Sequence, residues 1–547
     1  MTLLEDRPAE AAAPQPERSH AAPGDSWFTT ADHKRLGLLY LGFSLLFLLV
    51  GAVLGELLRA QLAEPSSNIL GSAYFRIFSM HATVMTMLFL TPAWLGLGTY
   101  LLPLQIGAGR LALPRLHATA LWLYVIGGGC LVASYISGPP SGLGITGPQA
   151  LAASTSVSKA TSLWIASLAV VAFSFVLASA SLVTTALTLR TEGMTLLRLP
   201  AFSWATMVTG IITLLATPVF LGGLLLLYLD EHYFGSFFNS TTIGSQEVWQ
   251  HTVWLFGRPE VYLLTLPALG VACEIVATHA RRPLLDHRAA LGLLGLFGAL
   301  SLGAWAAGNK VENALVLPTY SVLASLVVIP VGALLLLWMG TMAQGRPRFH
   351  VSLLWVAGYV ILLTLGAGMT IAAAVAKVHG SAWTTGHVHT VAFGAPALLV
   401  FGAIYHWAPK LWGRTLSPGL GALAFLLVFG GFFISGLFSY LLGFQGAANH
   451  ASAVTGRSSY QALDRASAFG GALILVGVLV VLGDLLRSWR RGAPVAADPY
   501  EGLTLEWATT SPPPPHGFDT VPMVWSAAPL ADWRAAEQAT AGEGAQG

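Results

Sequence analysis

The stretch Thr384–Trp407, TTGHVHTVAFGAPALLVFGAIYHW, decides how this chain is read. It is apolar for more than a helix-length span and carries His387 and His389 near its start. Two residues apart on a helix is about 200° of rotation, so the imidazoles leave from opposite faces. One apolar helix could therefore serve a metal centre on each side. The same HxH is equally consistent with two polar residues capping the start of an apolar segment, and only partners elsewhere in the chain separate the two readings.

The chain has 547 residues, of which 55% are hydrophobic and 10% charged, against about 25% charged in soluble domains. Apolar runs long enough to cross a bilayer recur near 36–58, 78–104, 118–137, 160–190, 204–228, 249–277, 288–307, 318–342, 350–377, 384–410, 418–443 and 465–487. The expected fold class is therefore all-α integral membrane, a bundle of about twelve transmembrane helices. The even-numbered connections hold the basic residues: Arg110 and Arg115, Arg190 and Arg198, Arg281, Arg282 and Arg288, Arg346 and Arg348, Lys410 and Arg414. Lys34 and Arg35 precede the first run, and Arg487, Arg490 and Arg491 end the last. By the positive-inside rule both termini are cytoplasmic, as in a multi-pass protein of a bacterial-type cytoplasmic (inner) membrane.

Residues 1–30 read as a disordered tail rich in Ala, Pro and Glu, without the apolar core of a signal peptide. Residues 31–491 form the membrane domain, and 492–547 an extended, Pro-rich cytosolic tail. Cys130 and Cys273 fall inside apolar runs, so neither a disulfide framework nor a thiolate metal site is expected. The net charge of +2 says nothing about partners, and no nucleic-acid partner is expected.

The partners of the HxH pair come from depth. The second run, like the tenth, enters from the outer side, and it carries His81 near its outer end. A histidine there is costly unless paired or ligated. Arg59 and Glu56 lie near the outer end of the first run, and the sixth holds His251, Arg258, Glu260 and Tyr262 beside a kinking Pro259. Three histidines and several charges thus gather at one depth, where they line a cofactor or a hydrated cavity.

The blocks HATVMTMLF and PLQIGA (81–89, 103–108), WQHTVWLFGRPEVY (249–262), VHGSAWTTGHVH (378–389) and DPYEGLTLEWATTSPPPPHGF (498–518) together resemble subunit I of the haem-copper oxidases, of the A-type cytochrome c oxidase kind. LRTEGMTLLRLPAFSW (189–204) and ADHKRLGLLY (31–40) extend the resemblance over roughly residues 30 to 520. It implies two haems: a low-spin haem held by His81 and His389, and a high-spin haem on His387, with Arg59 contacting the first. Their haem type is not implied. It also places His379 at a magnesium ligand.

The departures from that family are selective. Its three copper-binding histidines correspond here to Arg258, in RPEVY, and to Ala307 and Gly308, in AWAAGNK. A guanidinium and two residues without side-chain donors do not bind copper, so no CuB site is expected. The acidic residue of one proton channel corresponds to Arg110, and the lysine and threonine of the other to Leu334 and Val331. The propionate-neutralising arginine pair has become Asn449 and His450, and Gly380 replaces the aspartate beside His379, which weakens the magnesium site.

Three readings follow. The first is a dihaem membrane redox protein, derived from oxidase subunit I, that transfers electrons or binds a diatomic gas at a copper-less haem without pumping protons. The second is a terminal oxidase or NO-handling enzyme with a distal pocket rebuilt from Arg258, Glu260 and Tyr262. The third is a non-catalytic assembly or sensor subunit. The chain has no CuA-type cysteine motif and no CxxCH, so electrons would arrive from a further subunit, such as a subunit II, or from a cytochrome.

Overall fold

The computed structural model describes residues 26–138, 158–233, 263–304, 325–376, 381–448, 457–521 and 523–544, with isolated positions at 237, 238, 248, 249, 252, 322 and 378. Arg258, Glu260, Tyr262, Ala307, Gly308, His379, Gly380, Asn449 and His450 lie outside the described residues.

Every predicted apolar run overlaps a helical element among the described residues. In chain order these are α1 (His33–Ala63), α2 (Gly71–Gln105), α3 (Pro114–Ser137), α4 (Lys159–Thr188), α5 (Ala201–Tyr233) and α6 (Thr265–Ala280). Then come α7 (His287–Ala304), α8 (Val328–Gln344), α9 (Val351–Ala376), α10 (Ala382–Trp412), α11 (Pro418–Phe444) and α12 (Gln461–Arg491). Among the described residues, 9 are long and apolar enough to cross a membrane. The remaining three, α6, α7 and α8, each have an end within four residues of undescribed ones.

Local chemistry starts and stops the helices. Asp32 caps α1 by accepting from Lys34 N at 3.0 Å, Ser158 caps α4, and Ser381 caps α10 by accepting from Trp383 N at 3.3 Å. Gly413, at φ 75°, ends α10 in the left-handed conformation that a side chain would disfavour.

Packing then selects the centre. In α2 and α10 the most apolar stretches are 94% and 83% buried, against 33–61% in the other spanning helices. The two central helices touch through Phe89 and Phe393, with ring centroids 6.0 Å apart. Around them α1 packs on α2 and α12, α11 on α10 and α12, and α5 on α4 and α6. Close approach depends on small residues: a Cβ at Gly37 of α1 would lie 2.8 Å from the carbonyl oxygen of Gly96 in α2.

The tail after 492 is not the free, extended segment its composition suggests. Leu505 and Trp507 are buried, as are Phe518 and Val524, and a further helix, α13 (Pro529–Gly544), follows. The segment forms a plate across one end of the bundle. Lys34 Nζ donates to Pro515 O at 2.8 Å, Arg198 Nη1 to Val524 O at 3.2 Å, and Lys410 Nζ to Ala497 O at 2.8 Å. Arg281 pairs with Glu501 and Arg414 donates to Gly492 O. The start of α1 and several of the basic connections thus share one end of the molecule with the C-terminal segment. Proline-rich composition hid this because backbone carbonyls of the segment, which every sequence has, accept from those arginines and lysines.

Candidate functional site

His81 stands seven residues into the regular part of α2, which begins at Tyr74, and His389 seven residues into α10, which begins at Ala382. At about 1.5 Å per residue both lie about 10 Å along their helices. Equal depth on adjacent central helices brings them together: the ring centroids are 6.1 Å apart and the planes 12° from parallel. His81 Nδ1 lies 2.8 Å from Gly51 O of α1, and His389 Nδ1 lies 2.8 Å from Thr385 O. A carbonyl only accepts, so each Nδ1 carries the proton and each Nε2 keeps its lone pair free for a metal.

The spacing is that of a shared ion. A metal bound by two imidazoles at about 2 Å each holds their ring centres about 6 Å apart. Stacked rings in van der Waals contact would be nearer. The residues present therefore fit a group with one metal between two imidazoles.

Arg59 borders the same space. A Cβ at Gly55, one turn earlier, would fall 2.7 Å from His81 Cε1 and 3.2 Å from Arg59 Nη1. The guanidinium is held by Ser435 Oγ of α11, to which Nε donates at 3.1 Å.

His387 leaves α10 on another side. Its ring stacks on Trp383 with centroids 4.9 Å apart and planes at 12°, and Tyr440 OH lies 3.4 Å from its Nδ1. The two histidines of the pair therefore have separate surroundings. The sequence reading did not reach Trp383, Tyr440 or Ser435, which carry no signal until α10 and α11 are packed.

Both central helices widen beside the facing histidines, in α2 three residues after His81 and in α10 around His389 itself. Val84–Leu90 and Val388–Gly394 are π-helical, and each ends two residues before a proline, Pro92 or Pro396. A proline offers no N–H to the preceding turn, and π segments of this kind are common at functional sites. Thr86 and Thr390 also bond back to the carbonyls of Ala82 at 2.8 Å and Gly386 at 2.7 Å. The paired prolines were the available sequence signal for this widening.

Arg110 is exposed in the turn after α2, at the other end of the bundle, and Leu334 is fully buried part-way along α8. The distal-pocket residues Arg258, Glu260 and Tyr262, and the substituted positions 307 and 308, lie outside the described residues.

The family model described as cytochrome c and quinol oxidase polypeptide I matches residues 35–473. The chain belongs to this family, subunit I of the haem-copper oxidases. It is 34% identical over 517 residues to a Streptomyces avermitilis protein named "Probable cytochrome c oxidase subunit 1-alpha", covering 92% of this chain and 89% of the relative. Identity is 33% over 543 residues with cytochrome c oxidase subunit 1 of Corynebacterium efficiens and 32% over 543 residues with that of Corynebacterium glutamicum, each covering 97% of this chain and 93% of the relative. The chain is thus an oxidase-subunit-I-like, multi-pass membrane redox protein, of a family whose subunit I binds haem and works with other subunits.

Proposed function

We propose that this chain is a dihaem electron-transfer subunit that has given up the copper chemistry of its family. The observation that carries the reading is the 6.1 Å separation of the His81 and His389 rings with both Nδ1 atoms bonded to carbonyls. His81 and His389 would hold a low-spin haem and His387 a high-spin one. A haem with two imidazole ligands supplies one-electron transfer, and one with a single imidazole leaves a position for O₂, NO or CO.

The chain's own residues define what surrounds those groups. Gly51 O and Thr385 O fix the tautomer and orientation of the two facing imidazoles. Arg59, tied to Ser435, keeps a fixed positive charge beside them. Trp383 and Tyr440 set the rotation of the His387 ring. Arg258, Ala307 and Gly308 stand where the family has copper ligands, which argues for no CuB. Leu334 and Val331 offer no proton-carrying group at the usual channel, which argues against pumping. Electrons would come from a partner subunit or cytochrome, in a bacterial inner membrane with both termini cytoplasmic.

Iron, copper and pyridine haemochrome assays on the purified protein, with CO difference spectra, test this. Two haems per chain, one of them CO-reactive, and copper far below stoichiometric are expected. Copper equal to the chain together with O₂ reduction at the family's usual rate would overturn it.

A second reading, turnover of O₂ or NO in a distal site containing Arg258, Glu260 and Tyr262, is favoured by the RPEVY sequence. It requires that turnover exist and collapse in Arg258→Ala.

A further inference from the structure

A second group of imidazoles lies at the end of the bundle that carries the C-terminal plate. His279 is in the last turn of α6, His350 immediately precedes α9, and His406 belongs to α10. His279 and His350 stack with centroids 4.7 Å apart and planes at 12°, and His406 meets His279 edge-on at 5.3 Å. Tyr500 of the C-terminal segment touches all three. It stacks on His406 at 5.6 Å and 14°, and meets His279 at 5.4 Å and His350 at 4.9 Å. Trp507 closes the group against His406 at 5.6 Å.

Hydrogen bonding fixes the protonation of the stacked pair. Ser352 N–H donates to His350 Nδ1 at 3.2 Å, so that nitrogen carries no proton. Ser352 Oγ is 2.8 Å from the same nitrogen and 3.0 Å from His279 Nε2. Its single hydrogen goes to His350, and its lone pair accepts the His279 Nε2–H. Every partner is satisfied while both rings are neutral. A proton added at His350 Nδ1 would set donor against donor. His406 is fully buried and neither of its ring nitrogens has a hydrogen-bond partner.

The surrounding charges do not compensate a proton. From α6, Arg281 is paired with Glu501, and before α9 the Arg348 backbone donates to His279 O at 2.9 Å, with its charge acting on His279 and His350. From α10, Lys410 is held by Ala497 O and Thr509 O. In the C-terminal segment Asp498 is paired with Arg534 at 3.1 Å. Glu506 accepts from Gln105 and Trp407 at 3.1 Å each, while its second oxygen has no partner, and Glu274 of α6 accepts from Phe202 N at 3.3 Å. An imidazolium stacked on Tyr500 gains less from the ring than burial of an unpaired charge costs.

We propose that His279, His350 and His406 form a proton-released latch: neutral, they seat Tyr500 and with it the C-terminal segment, and on taking up a proton they free that segment from the ends of α6, α9 and α10. Burial, and then the charge of Arg348, holds His350 at about 4 against an ordinary 6.5. The released state therefore binds a proton from about pH 6.5 downward, and the docked state only near 4. Docking is complete above that window, weakens as pH falls through it, and changes no further below it. Glu506 acts with the opposite sign, since burial raises its carboxyl and acid would favour its docked form.

The test is limited proteolysis of the full-length protein in nanodiscs, with rates normalised to an unfolded reference at each pH. Cleavage between residues 492 and 528 should be tenfold or more faster at about pH 5 than at about pH 7.5, an estimate from His350 alone. The triple variant His279→Phe, His350→Asn, His406→Phe should lose this dependence and Glu506→Gln should keep it. Hydrogen exchange over residues 498–509 in the unsubstituted protein gives the same readout if the triple variant does not fold. Equal rates at both pH values in the unsubstituted protein would overturn the latch, as would acid release that survives in a folded triple variant or vanishes in Glu506→Gln.

Discussion

The rings of His81 and His389 face each other between two of the most buried helices, 6.1 Å between centroids and 12° from parallel, with each Nδ1 proton given to a backbone carbonyl. Separated by most of the chain, they are joined because α2 and α10 present them at the same depth. The pairing makes each histidine useless without the other for a two-ligand centre.

His81→Ala and His389→Ala should each therefore remove the same haem. The expected outcome is one haem lost per chain, the same spectral band missing in both, and the CO-reactive haem retained. Haem assays and reduced-minus-oxidised spectra read this directly, and a variant of either residue that keeps the full low-spin signal would contradict the pairing.

Gly55→Ala should disturb the site without replacing either facing histidine. The new Cβ would sit 2.7 Å from His81 Cε1, inside any real carbon contact, whereas a Cβ at Gly42 meets nothing within 4 Å. Overpacking of this kind costs about 1–3 kcal/mol. Thermal unfolding and the low-spin spectrum should change in Gly55→Ala and stay unchanged in Gly42→Ala.

Tyr440→Phe removes the hydroxyl 3.4 Å from His387 Nδ1. A neutral hydrogen bond contributes about 1 kcal/mol, so CO affinity at the His387 haem should change by about fivefold and the bis-histidine spectrum should not. Equal effects on both haems would show that Tyr440 acts through packing alone.

Glu506→Gln should alter stability with a definite sign. Burial raises the Glu506 carboxyl above its usual 4.5, partly offset by the hydrogen bonds from Gln105 and Trp407. A raised carboxyl favours the protonated native form, so stability is greatest below 4.5 and declines as pH rises through the native value. Glutamine keeps the acceptor and cannot ionise. Melting curves followed upward from about pH 4.5 should fall less steeply in the variant than in the unsubstituted chain.

Much of this was legible in sequence. Hydropathy marked the helical runs because a bilayer admits little else, and the clustering of Arg and Lys in alternate connections put those connections at one end. The shared depth of His81, His387 and His389 followed from the second and tenth runs entering from the same side with the histidines near their outer ends. Trp383, Tyr440 and Ser435 were not legible, since each is an ordinary apolar-span residue until α10 and α11 touch. The C-terminal plate was misjudged because proline suggested extension, while the contacts that fold it run from distant basic side chains to carbonyl oxygens.

The sequence by itself determined the membrane class, the order of the helices and the three histidines at one depth, because hydrophobic length and residue chemistry are local properties; which two of them pair was implied only by the family resemblance. The tertiary structure alone decided that α2 and α10 are the buried core, that Gly51 and Thr385 orient the imidazoles, and that three further histidines meet under Tyr500. Those are relations between helices, set by packing of small and large side chains across the bundle, and no single segment encodes them.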